Sequence, residues 1–372
     1  MRHVVLNALF LDPAASGGPE TYLRGLAPAL AAAHPETRFT IVTTVSGAQT
    51  LRAEGWERRF AVRSLPCEDG QRLRRQAAEQ LMLPALAWRL RADVLHSLAS
   101  VAPIRVPGVA HVITVHDVTF FRRQTFGAVT TWGMRQVVGR AARHADGLVT
   151  ASRVARDEIC DELGLDPMAF TVAHHGADLE SAAPAAPEAE VRERYALDGA
   201  RVVLCVATKR PHKNQEVLVR ALPQLDDDVV LVLAGHPEPY DAQLRAVAAA
   251  LGVTGRVRFA DYVPAGDLEA LWRIAGCGAF PTLAEGFGIP VVEAMARGVG
   301  VAVSDIPVLR EVGSDVPQYF DPHDPAAAAK AIAVTLGDPQ AGARGPARAA
   351  QFTWAASADA TWSAYERACA SR

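Results

Sequence analysis

Short runs of consecutive apolar residues alternate with longer stretches of helical period along nearly the whole chain. In the first half, runs of strand length fall at 3–8, 38–44, 93–96, 111–115, 147–150 and 170–173, with helical spacing at 19–33, 72–91, 127–144 and 152–163. That alternation predicts parallel α/β layers. A Pro/Ala-rich stretch, Ser181-Ala-Ala-Pro-Ala-Ala-Pro-Glu-Ala-Glu190, then reads as an exposed connector. Beyond it the pattern restarts, with strands near 201–206, 229–234, 256–259, 276–280, 300–303 and 317–320 and helices at 214–223, 241–251, 266–275, 290–297 and 325–336. The final stretch, 354–370, carries Trp354, Trp362 and Tyr365 and reads as an amphipathic helix. The pattern predicts two doubly wound halves joined by a linker, with no short-period repeat.

Composition sharpens this. At 372 residues the chain exceeds one core and suggests two domains, and with 50% hydrophobic and 21% charged residues it is a buried, globular sequence. The net charge of −3 argues against nucleic acid as a partner. Five cysteines are widely spaced without a C-x-x-C pair, which suits reduced thiols in a cytoplasmic protein. No apolar run approaches a membrane span. Met1 to Leu11 has a basic start and an apolar middle, but Asp12-Pro13 interrupts it, so a first strand is expected there and not a signal peptide.

The chemistry concentrates in Thr282-Leu-Ala-Glu-Gly-Phe-Gly-Ile-Pro-Val-Val-Glu-Ala-Met295. A buried strand, a turn with Gly286 and Gly288, and a helix start with Pro290 bring backbone N–H groups to the positive end of a helix, a seat for a diphosphate. Glu285 lies in the turn and Glu293 about one helical turn in. Carboxylates repel phosphates, so the expected partners are hydroxyls of a sugar and a ribose. A nucleotide diphosphate sugar carries all these groups. Of the 38 Lys+Arg residues only Lys209, Lys213 and Lys330 are lysine, and two of them fall in Ala207-Thr-Lys-Arg-Pro-His-Lys-Asn214. That segment follows the run 202–206, at the carboxyl end of a strand, the ligand-binding edge of an open α/β sheet. A compact ammonium there suits a diphosphate; Lys213, Lys209 and Arg210 are all candidates.

Other signals are weaker. His116-Asp117 also sits at a carboxyl strand end. Ser16-Gly17-Gly18-Pro19-Glu20 leads into a helix without a G-x-G-x-x-G, which argues against a nicotinamide or flavin dinucleotide and leaves backbone able to approach a phosphate. His174-His175-Gly176-Ala177-Asp178 reads as a hinge, because adjacent histidines point apart and no third ligand is suitably spaced. Asp226-Asp227-Asp228 precedes its strand, so it reads as a solvated loop and not a D-x-D metal site. The basic cluster Arg58, Arg59, Arg63, Arg72, Arg74 and Arg75 reads first as exposed surface and second as a weak contact with an anionic membrane surface or an anionic acceptor.

On these residues the chain resembles the retaining glycosyltransferases of family 4. The Glu-x7-Glu motif matches Glu285 to Glu293, and Ser304-Asp305, Glu311-Val312, Pro211-His-Lys-Asn214, His116-Asp117, Gly17-Gly18 with Glu20, and His175 to Asp178 are similar too. The resemblance implies a GT-B architecture: two Rossmann-like doubly wound α/β domains facing a central cleft. It places an acceptor-binding domain at 1–180, a linker at 181–194, a donor-binding domain at 195–352 and, at 353–372, a helix crossing back to the first domain. It implies that Glu285 and the amides of Gly286, Phe287 and Gly288 hold the donor sugar and its phosphate, that Lys213 neutralises the diphosphate, and that Glu293 binds the ribose. His116 would contact the sugar, Gly17 and Gly18 the phosphates, and Tyr262 and Val263 the base. Lys209 and Arg210 stand where other members carry different residues, so either could share the cationic role.

The implied activity is metal-independent, cofactor-free transfer of a hexose, mannose or rhamnose by family breadth, from a nucleotide diphosphate sugar to a saccharide, lipid-linked or small-molecule hydroxyl acceptor. Its setting would be the cytoplasm or the inner face of the plasma membrane. Two competitors share the features: a nucleotide-sugar 2-epimerase of the same architecture, and a non-catalytic nucleotide-sugar-binding protein. The sequence leaves base, sugar, acceptor and oligomeric state open.

Overall fold

The structure, a computed structural model, describes residues 1–11, 17–68, 71–118, 128–177 and 183–372. Asp12, Pro13, Ser16, residue 127, Asp178 and the start of the connector at 181–182 lie outside the described residues.

The chain divides into two units: Met1–Gly176 with Trp354–Arg372, and Ala177–Thr353. In the first, β1 (His3–Asn7), β2 (Arg38–Thr43), β3 (Ala61–Ser64), β4 (Val94–Ser97), β5 (Ala110–Thr114), β6 (Gly147–Thr150) and β7 (Phe170–Val172) form a seven-stranded sheet in the order β3-β2-β1-β4-β5-β6-β7. In the second, β8 (Arg201–Val206), β9 (Val229–Ala234), β10 (Val257–Ala260), β11 (Ala275–Phe280), β12 (Val301–Ser304) and β13 (Gln318–Phe320) form a six-stranded sheet in the order β10-β9-β8-β11-β12-β13. Every pairing is parallel. Each unit is therefore a Rossmann-like domain, and the strand order reverses between β1 and β4 and between β8 and β11.

Fully buried strands explain why the pattern was readable: β1 and β9 are buried at every position, as sheets covered by helices on both faces require. Elements with weak signals were missed. Strand β3 holds two apolar residues at a sheet edge and exposes its end. The helix Val45–Ala53 is short and contains Gly47, its start secured by the Thr44 hydroxyl accepting from the Gly47 amide at 3.0 Å. Two further short helices, Pro307–Gly313 and Gly345–Ala349, were also unforeseen.

Two expectations need correction. The linker expected at 181–194 is helical over Glu188–Arg194, because Val191 is buried and Arg192 pairs with Glu188 one turn away. The stretch 72–91 is not one regular helix: Arg72–Ala77 passes through a π turn, Ala78–Met82, into Leu83–Arg89. The π turn carries Glu79, which is buried and accepts from Asn7 Nδ2 at 2.7 Å. Burial pushes that carboxyl up to about 7, against the Asn7 hydrogen bond and the nearby Arg75 charge.

The final helix, Trp354–Ala370, packs on the helix Gly18–Ala33 within the first unit. A Cβ on Gly25 would fall 2.0 Å from the Trp354 ring, so only glycine permits this approach. Beneath the helix, Tyr365 Oη meets His96 Nδ1 at 2.7 Å, while His96 Nε2 meets Thr114 Oγ1 at 2.8 Å. Burial holds the His96 imidazole down at about 3 and His111 at about 4.

Gly25→Leu is expected to drive the two helices apart and lower the melting temperature of the first unit, measured by calorimetry, while Gly255→Ala, where an added Cβ meets nothing within 4 Å, serves as a control in the second. The two histidines also set a pH dependence. Their folded pKa values lie below the unfolded value near 6.5, so protons bind only on unfolding. Stability is complete above pH 6.5 and falls towards pH 4, at up to about 1.4 kcal/mol per pH unit for each histidine. Denaturant titrations from pH 7.5 to 4.5 should show this slope, shallower in His111→Gln.

Candidate functional site

In an open parallel sheet the crevice lies at the carboxyl ends of the strands where their order reverses. In the second unit that is the end of β8 beside the end of β11. The chain leaves β8 through Ala207–Arg210 and a 3₁₀ turn, Pro211–Lys213, which closes on Asn214 in the left-handed region at φ 55. Asn214 Nδ2 donates to the Pro281 carbonyl at 3.1 Å and to the Pro322 carbonyl at 2.8 Å. The amide of Leu283 and the hydroxyl of Thr282 both donate to the His212 carbonyl, at 2.8 and 3.2 Å. The two loops are thus stitched together by side-chain and backbone donors onto carbonyls, and Lys213 Nζ is brought onto Glu285 Oε2 as an ion pair. Their side chains remain 23% and 21% exposed, so they stay open to a ligand.

A cavity lined by Ala207, Lys213, Thr282, Glu285, Gly288 and Pro290 opens beside this pair. Gly288 stands at φ +95 just before the helix Ile289–Ala296, and a Cβ there would lie 2.9 Å from Leu309. That helix has no side-chain cap. Its amide end, carrying the positive pole of the helix, faces the same turn as Glu285. Glu293 lies in the second turn, half-buried. Burial raises its pKa, the Arg297 charge opposes this and Glu269 adds to it. Arg297 joins the group by donating to the Glu293 carbonyl at 3.0 Å and to Glu269 at 2.6 Å.

The remaining expected donor residues separate. Arg210 turns to Glu238, 2.7 Å away. Lys209 requires a correction: its side chain is fully buried and bonded to Gly235 O and Asp261 Oδ1, at 2.7 and 2.9 Å, so its ammonium is engaged inside the domain and not presented to a ligand. Phe287, expected to act through its amide, keeps its side chain in the core: it is 2% exposed and meets Phe352 edge-on at 5.4 Å. Tyr262 is exposed and Val263 half-buried, in the loop after β10. The aspartates before β9 are held by Arg201, which bonds Asp226 and Asp228. Among the described residues no group of three or more His, Cys, Asp or Glu is placed to hold a metal.

In the first unit, His116 follows β5. Its Nε2 lies 2.9 Å from the Leu98 carbonyl and its ring meets Tyr22 edge-on at 5.1 Å. A carbonyl only accepts, so Nε2 carries the proton and Nδ1 is the acceptor. Burial depresses the pKa of this ring, with the Leu98 hydrogen bond and Asp117 opposing. Gly17 and Gly18 open the helix Gly18–Ala33, also without a side-chain cap. A Cβ at either would meet nothing within 4 Å, and Gly17 is extended at φ −169; among the described residues, neither packing nor backbone strain requires glycine there.

Sequence reasoning passed over Asn214 as a loop stitch and missed Asp261 and Asp241 around Lys209. The scarcity of lysine did single out Lys209 and Lys213, but not which way either points.

Comparison with known proteins bears on the family and the fold. Residues 188–351 match the family described as Glycosyl transferases group 1, and residues 16–181 match Glycosyltransferase Family 4. The D-inositol 3-phosphate glycosyltransferase of Salinispora tropica is 34% identical over 247 residues, 60% of this chain and 50% of that protein. The O-antigen chain mannosyltransferase B of Escherichia coli is 33% identical over 184 residues, 47% of this chain and 48% of that protein. The chain thus spans about half the length of these curated relatives. Among solved structures, sucrose-phosphate synthase from Thermosynechococcus elongatus superposes with a TM-score of 0.78 at 20% identity, covering 100% of both chains. Anabaena HepE in complex with UDP-glucose does so with 0.78 at 18%, covering 96% of this chain and 98% of that one. At those identities the structural likeness speaks for the fold. With the matched sequence families lying one on each Rossmann-like domain, the chain belongs to the family 4 glycosyltransferases of GT-B fold.

Proposed function

We propose that this protein transfers a hexose from a nucleotide diphosphate sugar to a hydroxyl acceptor, with retention at the anomeric carbon and without a metal. The observation that carries this reading is the Lys213–Glu285 pair, held by the stitched loops beside an uncapped helix start. As the bond between the anomeric carbon and the phosphate oxygen breaks, negative charge grows on the diphosphate. The Lys213 ammonium and the helix amides meet that charge from fixed positions. A diphosphate competes with Glu285 for the ammonium, which frees the carboxylate to accept hydrogen bonds from the sugar hydroxyls. Glu293 accepts from the ribose. The acceptor oxygen attacks from the face the diphosphate leaves, and its proton passes to the leaving phosphate oxygen, so no protein nucleophile is needed. In the first domain, the acceptor nitrogen of His116 suits a sugar hydroxyl, and the helix start at Gly17 and Gly18 suits an anion.

The names of the relatives, an inositol phosphate glycosyltransferase and a mannosyltransferase, support a hexosyl transferase over an epimerase. Exposed Leu73, Leu81 and Trp88 share one helical stretch with Arg74 and Arg75, a surface that suits an acceptor carried at an anionic membrane.

Nucleotide release from a panel of donors should depend on an added acceptor and persist in EDTA. Glu285→Gln and Lys213→Ala should each lower kcat/KM by about 100-fold or more, the scale of a lost transition-state donor. Release that survives both substitutions would refute the site. Proton NMR of the first-formed product should give the anomeric configuration of the donor; an inverted product would refute the same-face route while leaving the donor site standing.

A further inference from the structure

Lys209 lies in a chain that uses arginine almost everywhere else, and its side chain is fully buried. A buried ammonium is stable only when charge and hydrogen bonds surround it. Here they come from the carboxyl ends of neighbouring strands. Nζ donates to the carbonyl of Gly235, the residue after β9, at 2.7 Å, and to Asp261, the residue after β10, at 2.9 Å. Asp241, in the helix Tyr240–Ala250, lies 3.7 Å away. Backbone bonds tighten the cluster: Ala207 N to Ala234 O at 2.9 Å, Gly235 N to Ala260 O at 3.0 Å, and Lys209 N to His236 O at 3.3 Å. Gly235 has φ +146, and a Cβ on it would fall 2.2 Å from the Ala207 carbonyl oxygen. A compact ammonium suits groups this close better than a planar guanidinium would.

Asp261 is followed directly by Tyr262, whose side chain is 79% exposed. Little packing holds such a ring; its mounting is the clamped loop beneath it. A fixed, exposed aromatic ring suits stacking against a flat heterocycle.

We propose that Lys209 is a positioning residue for donor selection: it ties the Asp261–Val263 loop to the loop bearing Lys213, so that Tyr262 stands as a stacking wall for the nucleobase while Lys213 takes the diphosphate. This rests on the donor-site reading given above. The division of labour is specific. Lys209 governs the base and Lys213 governs the phosphates, although only three residues lie between them.

Calorimetric titration of the full chain with UDP, GDP, ADP and inorganic pyrophosphate tests it. Lys209→Met should weaken the preferred nucleotide roughly tenfold, the scale of one lost base–aromatic stack, and narrow the preference among bases. Pyrophosphate affinity should hold within a factor of about three, since only base stacking is lost. Tyr262→Ala should give the same loss, with no further loss in the double variant. Lys213→Ala should weaken pyrophosphate and nucleotides alike. Equal weakening of pyrophosphate and nucleotide by Lys209→Met, or an unchanged base preference, would overturn the inference. Should Lys209→Met lose its folded circular dichroism, Asp261→Asn, a change at a half-exposed side chain, decides by the same criteria. Wild-type protein that binds none of the nucleotides would overturn the donor reading itself, and this inference with it.

Discussion

The pairing of β8 with β11 is the constraint from which the site follows. These strands are distant in sequence and adjacent in the sheet, with Val202 opposite Ala275, Val203 opposite Cys277 and Leu204 opposite Gly278. The register skips Gly276, so β11 carries one extra residue before it settles. A slip of one residue turns every side chain of a strand to the other face. The alignment that results brings the segment after Val206 and the segment after Phe280 to one height at the carboxyl edge. Asn214, Thr282 and Leu283 can then exchange hydrogen bonds across the gap, and Lys213 meets Glu285. The ion pair is a product of strand register more than of any local sequence preference.

The parts of the fold that could be read in advance are those dominated by burial. Runs such as Val229–Ala234 have no polar alternation because helices cover both faces of the sheet, and such runs declare themselves. What escaped were elements whose stability comes from context. Strand β3 needs a neighbour to exist, Val45–Ala53 needs the Thr44 cap, and Glu188–Arg194 needs a cavity for Val191. The π turn at Ala78–Met82 could not be read either, since a widened turn leaves no compositional trace; a buried carboxyl and its amide partner at Asn7 mark it only in three dimensions.

The candidate site was legible as segments and not as orientations. Strand–glycine turn–helix punctuation located 282–295, and lysine scarcity located 207–214. Whether a given lysine faces outward was set by residues far away: Asp261 and Asp241 turn Lys209 inward, and Glu285 keeps Lys213 at the crevice. Phe287 adds a ring whose place no local pattern gives: Phe352, from the far end of the domain, draws it into the core.

The close approach of Gly25 to Trp354 has a consequence for biogenesis. Trp354–Ala370 belongs to the first unit yet follows the whole of the second in the chain. During synthesis, the segment Ala177–Thr353 is contiguous and has all its own strands before the final helix emerges. The earlier residues must wait, with the face of Gly18–Ala33 uncovered, until the ribosome has finished the later domain. Order of synthesis and order of completion are thus reversed, and the first-made domain is the last to close.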